Sequence, residues 1–321
     1  MKRTGMPEKI KIGISSCLLG EKVRYNGGHK LDRFIRDTLG QFMEFVPVCP
    51  EVESGMSVPR GTLQLAGNPR NPRLETIGAG KDYTNPMTLW GGKKLGELEH
   101  ENLSGYIFKS GSPSCGMKNI TVYHENGGCT SNGPGLWARM VMDYFPLLPF
   151  EDEGRLHDPE LRENFIERIF VLRRWRELCA GGMTTGHLAD FHTKHKLLIM
   201  SHSPRILREL GKLAASGKKT DRNSLFSAYI NRLTMALCLK TTVKKNLNVL
   251  YHLMGYFKKN LSPDEKQELL EVFDEYAHEH IPLIVPITLI NHYVRKYEQP
   301  YLREQYYLNP HPIELKLRTH V

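Results

Sequence analysis

Short apolar runs alternate with polar, turn-rich segments in the first half of the chain. Strands are predicted at Lys11–Ser15, Phe45–Val48 and Gly105–Phe108, because each run is short, apolar and bounded by turn-forming residues. Between the first two strands, His29–Leu39 has helical character, and Gly40 follows it as a C-terminal stop. Strands that alternate with helical segments are typical of an α/β domain with a parallel sheet.

The second half of the chain shows only helical periodicity. Ser203-Pro204 is an N-cap followed by proline at the first helical position, which predicts the start of a helix. Apolar residues at helical spacing predict two more helices, over Ser224–Lys240 and Val243–Lys259. The segment Ser262–Glu265 is a capping box and predicts a further amphipathic helix. This half is therefore predicted to be all-α.

The change of periodicity sets the domain organisation. We predict a Rossmann-like α/β domain with a mainly parallel sheet over residues 1–150, a connecting segment over 151–185 and an all-α domain over 186–321. No run approaches the roughly eighteen apolar residues that a membrane helix needs. Met1–Ile10 is polar and lacks the apolar region of a signal peptide. We therefore expect a cytoplasmic protein with no membrane partner.

The positive charge of the chain is concentrated in one segment. Residues 171–260 contain 17 Lys and Arg against 4 Asp and Glu, a local excess of +13 within a chain of net charge +9. The remaining 27 basic and 31 acidic residues give −4. A charge run is often only a solvated face, but an excess confined to one segment favours a polyanionic partner such as RNA.

Cysteine positions are the strongest chemical signal in the sequence. The chain has six cysteines and no C-x-x-C pair, which argues against a zinc ribbon or a thioredoxin-like motif. Cys17, Cys49 and Cys115 each follow the end of a predicted strand. Because loops at the carboxyl ends of parallel strands converge on one crevice, these three thiols are expected to meet. The competing interpretation is that they are small buried apolar residues.

Three thiolates without an obvious fourth protein ligand favour a 4Fe–4S cluster with one iron left open. An open iron is a Lewis acid with a free coordination site, which suits catalysis rather than electron transfer. The other three cysteines are not included in this site. Cys179 and Cys238 lie in predicted helices and are interpreted as core residues, and Cys129 is undecided.

Five ordered motifs over residues 9–150 resemble the thiouracil desulfidase (TudS) family. They are Ile14-Ser-Ser-Cys17-Leu-Leu-Gly20, Val23-Arg-Tyr-Asn-Gly27, Pro47-Val-Cys49-Pro-Glu51, Val58-Pro-Arg60 and Ser112-Pro-Ser-Cys115-Gly116. From Phe191 to about residue 310, the chain resembles a helical domain that is often fused to this family. The resemblance implies a tRNA 4-thiouridine desulfidase whose helical domain binds RNA.

The resemblance also implies a non-redox hydrolysis that releases sulfide and leaves uridine. Cys17, Cys49 and Cys115 would ligate a 4Fe–4S cluster, and the thiocarbonyl sulfur of the substrate would bind the open iron. Glu51 matches the carboxylate of the Cys-Pro-Glu motif and would be the general base for water. Ser112 matches the first serine of Ser-Pro-Ser-Cys-Gly and would position the base or assist proton transfer.

Four residues in the same loops are candidates for contact with the substrate. They are Ser16, Arg24, Asn26 and Arg60. The sequence departs from the family pattern here, with asparagine at position 26 where aspartate is common and serine at position 16 where alanine is common. Glu53-Ser-Gly-Met56 replaces a more glycine-rich turn. The cysteines are unaffected by these departures, so they bear on substrate contacts alone.

Nine basic residues of the second half are candidates for phosphate contact. They are Lys194, Lys196, Arg205, Arg208, Lys218, Lys219, Arg222, Lys244 and Lys245. Each would add salt-sensitive, sequence-independent affinity for RNA. Tyr251, Tyr256 and Phe257 are candidates for stacking on bases, although aromatics at helical spacing more often belong to a core.

Two further motifs do not fit the chemistry they suggest. Gly211–Lys218 has one residue too many between its glycines for a P-loop and ends a helix instead of starting one. The histidines His187, His192 and His195 lack the spacing of a zinc motif, although Asp190 lies among them. We interpret this group as structural or RNA-facing.

Several functional alternatives remain open at this point. The protein could act on free thiouracil or thiouridine, or run the chemistry backwards as a sulfur-inserting thiolase, although no adenylating P-loop is present. From a different class, it could be an iron–sulfur RNA-binding regulator with a structural cluster. A fourth ligand would favour the regulator, and an open iron facing a pocket would favour the enzyme. No obligate protein partner is indicated.

Overall fold

The computed structural model describes residues 9–124, 126–216, 221–312 and Leu315. The chain divides into two units, Met1–Leu161 and Arg162–Val321. Among the described residues, no helix is both long enough and apolar enough to cross a membrane.

A four-stranded, all-parallel sheet forms the centre of the first unit, with strand order β2-β1-β5-β8. Its strands are β1 (Ile10–Ser15), β2 (Met43–Val48), β5 (Gly105–Phe108) and β8 (Phe150–Asp152). Ser15 is level with Val48, so β1 and β2 end at the same edge. β1 and β5 are almost entirely buried, as expected for central strands of a parallel sheet. The predicted α/β class and its parallel sheet are confirmed.

A second, mixed sheet was not predicted. It has the order β4-β3-β6-β7 and contains β3 (Leu63–Asn68), β4 (Asn71–Thr76), β6 (Ile120–Tyr123) and β7 (Cys129–Gly133). β3 and β4 form an antiparallel hairpin within residues 59–86, which are rich in Gly, Pro, Asn and Arg. The tight hairpin contains many turn-forming residues. They make the alternation of buried and exposed residues in β4 hard to recognise in the sequence.

Three helices accompany the sheets of the first unit: α1 (Pro50–Glu53), α2 (Thr84–His100) and α3 (Leu136–Tyr144). The helix predicted over residues 29–39 is only partly present. A π-helical turn occupies Phe34–Thr38 and a 3₁₀ turn occupies Leu39–Gln41, while residues 29–32 are not helical. The backbone amide of Lys30 instead donates to the carbonyl of Cys17 at 2.9 Å, so this segment is bound to the site loop.

Eight helices make up the rest of the described chain: α4 (Pro159–Ala180), α5 (Thr185–His202), α6 (Pro204–Ala215), α7 (Arg222–Leu237), α8 (Val243–Tyr256), α9 (Pro263–Ala277), α10 (Ile284–Lys296) and α11 (Pro300–Arg303). The all-α class predicted for this half is confirmed. The segment predicted as a connection, residues 151–185, contains the end of β8 and the whole of α4.

Helix starts in the second unit follow the predicted caps. The Ser203 hydroxyl accepts from the amide of Ile206 at 3.2 Å. Ser262 and Glu265 form the complete capping box that opens α9. Aromatic packing holds the helices together, and Trp175 stacks on Tyr229 with their ring centroids 5.5 Å apart.

The two cysteines that were predicted to lie in the helical core are not core residues. Cys238 is exposed at the end of α7, and Cys179 is only half-buried near the end of α4. Helical periodicity predicts which face of a helix is buried. At the end of a helix the chain turns away from the core, so the pattern no longer predicts whether a residue there is buried.

Candidate active site

A cavity of about 390 Å³ lies at the carboxyl edge of the parallel sheet. Its lining includes the three cysteines that follow strands, Cys17, Cys49 and Cys115. Glu51, Arg60 and Lys109 also line it and place both signs of charge beside the thiols. The volume falls in the range of small-molecule sites. The convergence of strand-end loops expected for a parallel sheet is therefore observed in this unit.

Short turns directly after the strands present two of the thiols. Cys17 lies in a 3₁₀ turn, Ser16–Leu19, which ends at Gly20 with φ of 101°. That left-handed conformation favours glycine. Cys49 is the residue before α1, and its amide donates to the carboxylate of Glu53 at 2.8 Å. Both thiols are thus fixed by backbone turns at the edge of the sheet.

The third thiol, Cys115, lies in a loop packed directly onto the start of α3. Gly135 donates its amide to the carbonyl of Gly116 at 2.7 Å, and Ala138 donates to the carbonyl of Ser114 at 3.1 Å. A Cβ on Gly135 would lie 2.6 Å from the carbonyl oxygens of Pro113 and Ser114. This close approach leaves no room for a side chain, which explains the glycine.

Burial and mutual repulsion make the three thiols hard to ionise. Burial, and then repulsion from the neighbouring Cys49, raise the pKa of Cys17 to about 12. Burial likewise raises the pKa of Cys49 to about 11. For Cys115, burial raises the pKa well above its usual value, with added repulsion from Glu51, Cys49 and Cys17. Three thiolates in this cavity therefore require a compensating positive group.

Lys109 provides part of the positive charge near the thiols. It directly follows the last residue of β5, and its charge lowers the pKa of Cys17, against the larger effect of burial. Its ammonium donates to Glu153 at 2.5 Å, and Glu153 also accepts from the amide of Ser110 at 2.7 Å. Sequence reasoning missed this lysine, although its place immediately after a strand was the same signal that identified the cysteines.

Glu51 is held at the cavity by two polar partners. Its Oε1 accepts from the hydroxyl of Ser114 at 2.6 Å. Its Oε2 forms an ion pair with Arg60, whose guanidinium also donates to the carbonyl of Val23 at 2.9 Å. The Arg60 side chain is 5% exposed and that of Glu51 is 16% exposed. The carboxylate is thus fixed in position within the same cavity as the thiols.

The predicted serine, Ser112, does not contact Glu51 directly. Its hydroxyl lies 2.9 Å from that of Ser114 and accepts from the amide of Cys115 at 3.1 Å. Ser114, which is fully buried, makes the direct contact. Sequence reasoning missed Ser114 although it lies within the quoted motif Ser112–Gly116. Ser112 organises the cysteine loop, and a hydroxyl chain links it through Ser114 to Glu51.

Three of the four predicted substrate-contact residues line the cavity: Ser16, Arg24 and Arg60. The fourth, Asn26, is exposed, and its side chain accepts from the amide of Gly28 at 3.1 Å, which stabilises a turn. Tyr25, which was not predicted, also lines the cavity and is 40% exposed. It provides an aromatic face beside the thiols.

Comparisons with known proteins find relatives of this chain and a matching family model. The uncharacterized protein YbgA of Escherichia coli is 31% identical over 152 residues, which is 47% of this chain and 90% of YbgA. The uncharacterized protein YbbK of Bacillus subtilis is 34% identical over 110 residues, which is 33% of this chain and 72% of YbbK. Residues 12–153 match the model of the 2-thiouracil desulfurase family. The chain belongs to the 2-thiouracil desulfurase family.

The desulfurase domain is joined to a second recognised domain. Residues 196–312 match a family described as a protein of unknown function, DUF1722. Among solved structures, a 4Fe–4S-dependent thiouracil desulfidase, TudS, is 28% identical to this chain, with a TM-score of 0.39. The match covers 47% of this chain and 95% of the TudS chain.

The cavity of the desulfurase domain fits an iron–sulfur cluster by its donor set. Thiolates are the usual ligands of such clusters, and three thiols share this one cavity. Burial, with added repulsion, raises their pKa values, and iron would offset this because metal binding takes the thiolate form. No set of three His, Cys, Asp or Glu side chains among the described residues is arranged to hold a single metal ion.

The predicted RNA contacts of the DUF1722 half are spread over several helices. Arg205, Arg208, Arg222 and Lys244 are exposed, and Lys194, Lys196 and Lys245 are half-buried. Lys218 and Lys219 lie outside the described residues. Lys194 forms an ion pair with Asp190 at 2.9 Å, and its charge is therefore partly neutralised.

The aromatic and histidine candidates of this half separate into surface and core. Tyr251 and Tyr256 are 48% and 42% exposed, whereas Phe257 is fully buried. His187 contacts the carbonyl of Gly182 at 2.7 Å, and His192 contacts the hydroxyl of Tyr229 at 3.0 Å. Each of these histidines thus has its own structural partner.

Proposed function

We propose that the protein removes sulfur from a thiolated uracil, and that its substrate is 4-thiouridine in tRNA. The observation that carries the proposal is the single cavity in which three thiols, a fixed carboxylate and an arginine meet within a desulfurase-family domain. Thiols at strand ends supply cofactor ligands, and a carboxylate beside them supplies a base. Both are needed to hydrolyse a thiocarbonyl.

The reaction is a hydrolysis without net oxidation or reduction. Water supplies the oxygen that replaces sulfur on the base, and the sulfur leaves with both protons as hydrogen sulfide. Glu51 takes a proton from the attacking water, since it is the carboxylate held at the cavity. Ser114 and Arg60 hold one carboxylate oxygen each and fix its direction. Arg24 and Tyr25 are placed to contact the base.

Cys17, Cys49 and Cys115 would hold a 4Fe–4S cluster with one iron free of protein ligands. When bound, that cluster supplies a soft Lewis acid suited to a thiocarbonyl sulfur. Lys109 adds positive charge at the Cys17 side of the cavity. Ser112 keeps the Cys115 loop in place by accepting from the Cys115 amide.

The tRNA assignment is supported by the second half of the chain. Its basic excess of +13 over residues 171–260 falls in the helical region, and at least four of the arginines and lysines predicted for RNA contact are exposed there. Backbone contacts of this kind offset the few kcal/mol needed to turn a base out of a folded RNA. A domain acting on a free base needs no such surface.

Sulfide release from two substrates tests both levels of the proposal. The protein is reconstituted anaerobically with iron and sulfide, freed of excess reagent, and incubated with 4-thiouridine-containing tRNA or with free thiouracil. We expect sulfide and uridine from the tRNA at a rate at least tenfold above that of the free base. No sulfide from either substrate, with the cluster absorbance intact, would overturn the enzymatic proposal.

The alternatives correspond to distinct outcomes of the same measurement. Conversion of the free base alone would assign the protein to thiouracil or thiouridine instead of tRNA. Tight tRNA binding without turnover by an intact cluster would favour an iron–sulfur regulator.

A further inference from the structure

A second cavity, of about 300 Å³, lies within the helical unit. It is formed by the C-terminal part of α4, the first half of α5 and Tyr306. Its polar lining carries both signs of charge: Arg174 and Lys194 are basic, Glu177 and Asp190 are acidic, and His187 and His195 lie beside them. The proposed chemistry of the desulfurase domain uses none of these residues.

Arg174 is a half-buried cation that forms no ion pair with a carboxylate among the residues that the structure describes, although the charges of Glu167 and Glu177 act on it. Its guanidinium donates to the carbonyl of Pro310 and stacks on the ring of Tyr306, 3.8 Å from the ring centroid. Its Nη1 is buried and has no hydrogen-bond partner in the described part of the chain. Burial lowers the pKa of Arg174 to about 10, which records the cost of keeping this charge out of water. A bound anion would remove that cost.

His195, in the lining of the same cavity, has an acceptor atom that lacks a hydrogen-bond donor. Its ring is 1% exposed and stacks on Phe191, with the centroids 3.9 Å apart. Nδ1 contacts the carbonyl of Phe191 at 2.8 Å, and a carbonyl only accepts, so Nδ1 carries the proton. Burial, and then the charge of Arg174, lower the pKa of His195 to about 3, so the ring is neutral at pH 7. Nε2 is therefore an acceptor, and it finds no donor among the described residues.

We propose that this cavity binds a ribose-phosphate unit of RNA, with Arg174 donating to the phosphate and Nε2 of His195 accepting from the adjacent 2′-hydroxyl. The cavity lacks one acceptor for an arginine and one donor for a neutral imidazole. A phosphate next to a ribose hydroxyl supplies both, and DNA lacks the hydroxyl. The identification of the ligand as RNA rests on the proposed function, whereas the two unsatisfied atoms do not depend on it.

Tyr306 controls access to both atoms. Its ring covers the guanidinium of Arg174, and its centroid lies 4.5 Å from that of His195. The tyrosine backbone is anchored, because its amide donates to the carbonyl of Lys194 at 3.0 Å. A turn of the Tyr306 side chain would uncover both atoms while its backbone stays anchored. Once turned, the ring is free to stack on the base of the same nucleotide.

Nucleotide binding to the full-length, cluster-containing protein tests the proposal without any thiolated substrate. Adenosine 3′-monophosphate, its 2′-deoxy analogue and inorganic phosphate are compared by calorimetry; adenine is used because uracil would also enter the desulfurase cavity. We expect the ribonucleotide to bind about three- to tenfold more tightly than the deoxyribonucleotide, the worth of one hydrogen bond. Equal affinity of the two nucleotides, or of inorganic phosphate and the ribonucleotide, would overturn the proposal.

Two variants separate the roles of the residues. Arg174→Met should weaken both nucleotides at least tenfold, whereas Arg295→Met, which removes an exposed charge from α10 of the same unit, should change neither. His195→Phe keeps the ring and should abolish the ribose preference without weakening the deoxyribonucleotide. A ribose preference that survives in His195→Phe would contradict the role of Nε2.

A direct readout covers the case in which Arg174→Met does not fold. In wild-type protein labelled with ¹⁵N-histidine, the Nε2 resonance of His195 should shift with the ribonucleotide and not with its deoxy analogue; an unchanged resonance would count against the site.

Unmodified tRNA distinguishes the two sources of the ligand. Tighter binding of tRNA than of the mononucleotide, reduced by Arg174→Met, supports an RNA chain. Binding of the mononucleotide alone would overturn the RNA assignment. Failure here leaves sulfide release from thiolated tRNA unaffected as a separate measurement, so the two proposals fail independently.

Discussion

Each unit of the chain encloses an arginine at a cavity, and the two arginines are satisfied differently. Arg60 in the desulfurase domain forms an ion pair with Glu51 and donates to the carbonyl of Val23. Arg174 in the helical unit stacks on Tyr306 and has no carboxylate partner within the described residues. Arg60 thus has a counter-ion inside the protein, whereas Arg174 has no ion-pair partner among the described residues.

The difference separates two uses of a buried charge. Arg60 forms an ion pair with Glu51, the carboxylate that we propose as the base, so its positive charge already has a partner inside the protein. We propose that Arg174 binds a ligand from outside, because it forms no ion pair within the described residues and its burial still lowers its pKa. Substitutions that remove the ion-pair partner of Arg60, or that change the charge around Arg174, therefore test this difference between the two arginines most directly.

The largest effect is expected from Glu51→Gln, which removes the base and leaves Arg60 as unpaired as Arg174. Desulfuration should fall about 10²- to 10⁴-fold, the usual contribution of a positioned general base. Iron content should stay at the wild-type level, as measured beside the rate of sulfide release. Glu97→Gln, a control on exposed helix surface, should retain full activity. Loss of iron in Glu51→Gln would show that the residue supports the cofactor instead.

Arg60→Met reverses the change by leaving the Glu51 carboxylate without its partner. Removing one member of a buried ion pair should destabilise the desulfurase domain by about 3 kcal/mol, read from its unfolding transition in denaturant. Arg36→Met breaks the exposed pair with Asp37 and should leave that transition unchanged. Equal transitions for the two variants would mean that the buried pair contributes nothing beyond a surface pair.

Gly135→Ala tests the backbone packing that holds the Cys115 loop. The added methyl would meet three backbone atoms of residues 113 and 114 at 2.6–2.7 Å, so a loss of about 2 kcal/mol is expected. Gly92→Ala, in α2 with open space around its Cβ, should instead stabilise slightly. Both are measured by thermal unfolding, and an unchanged midpoint for Gly135→Ala would contradict this packing.

An effect of similar size, spread over the range from pH 7 to 5, is expected from the pH dependence that His195 gives the helical unit. Its pKa is lowered from 6.5 to about 3, so the fold holds the ring neutral. This stability is fully present above pH 6.5 and is lost as the pH falls toward 3, by at most about 1.4 kcal/mol per pH unit. Denaturant unfolding at pH 7, 6 and 5 should show a steeper loss in wild type than in His195→Phe. Parallel curves would contradict a buried, neutral histidine.

The sequence predicted the elements whose signals are local. The strand Gly105–Phe108 and the capping box at Ser262 are observed as predicted, because apolar runs and caps are set by neighbouring residues. The mixed sheet was missed, since β3 pairs with β6 across more than fifty residues of chain. The helix over residues 29–39 was predicted too long, because hydrogen bonds to the Cys17 loop replace its first turn.

The candidate active site was predicted better than its supporting contacts. Topology alone brings Cys17, Cys49 and Cys115 together, because parallel strands end at one edge. The direct partner of Glu51 is Ser114 rather than Ser112, a choice decided by the turn of the loop around Gly116. No pattern in the sequence indicates such a turn at atomic detail.

The most direct test of the central claim replaces each of the six cysteines in turn by alanine. Iron content and sulfide release from thiolated tRNA are then measured after anaerobic reconstitution. The variants at Cys17, Cys49 and Cys115 should lose iron and all sulfide release, whereas those at Cys129, Cys179 and Cys238 should match the wild type. Full iron content and activity in any variant of the first three, or their loss in any of the others, would contradict the three-thiol site.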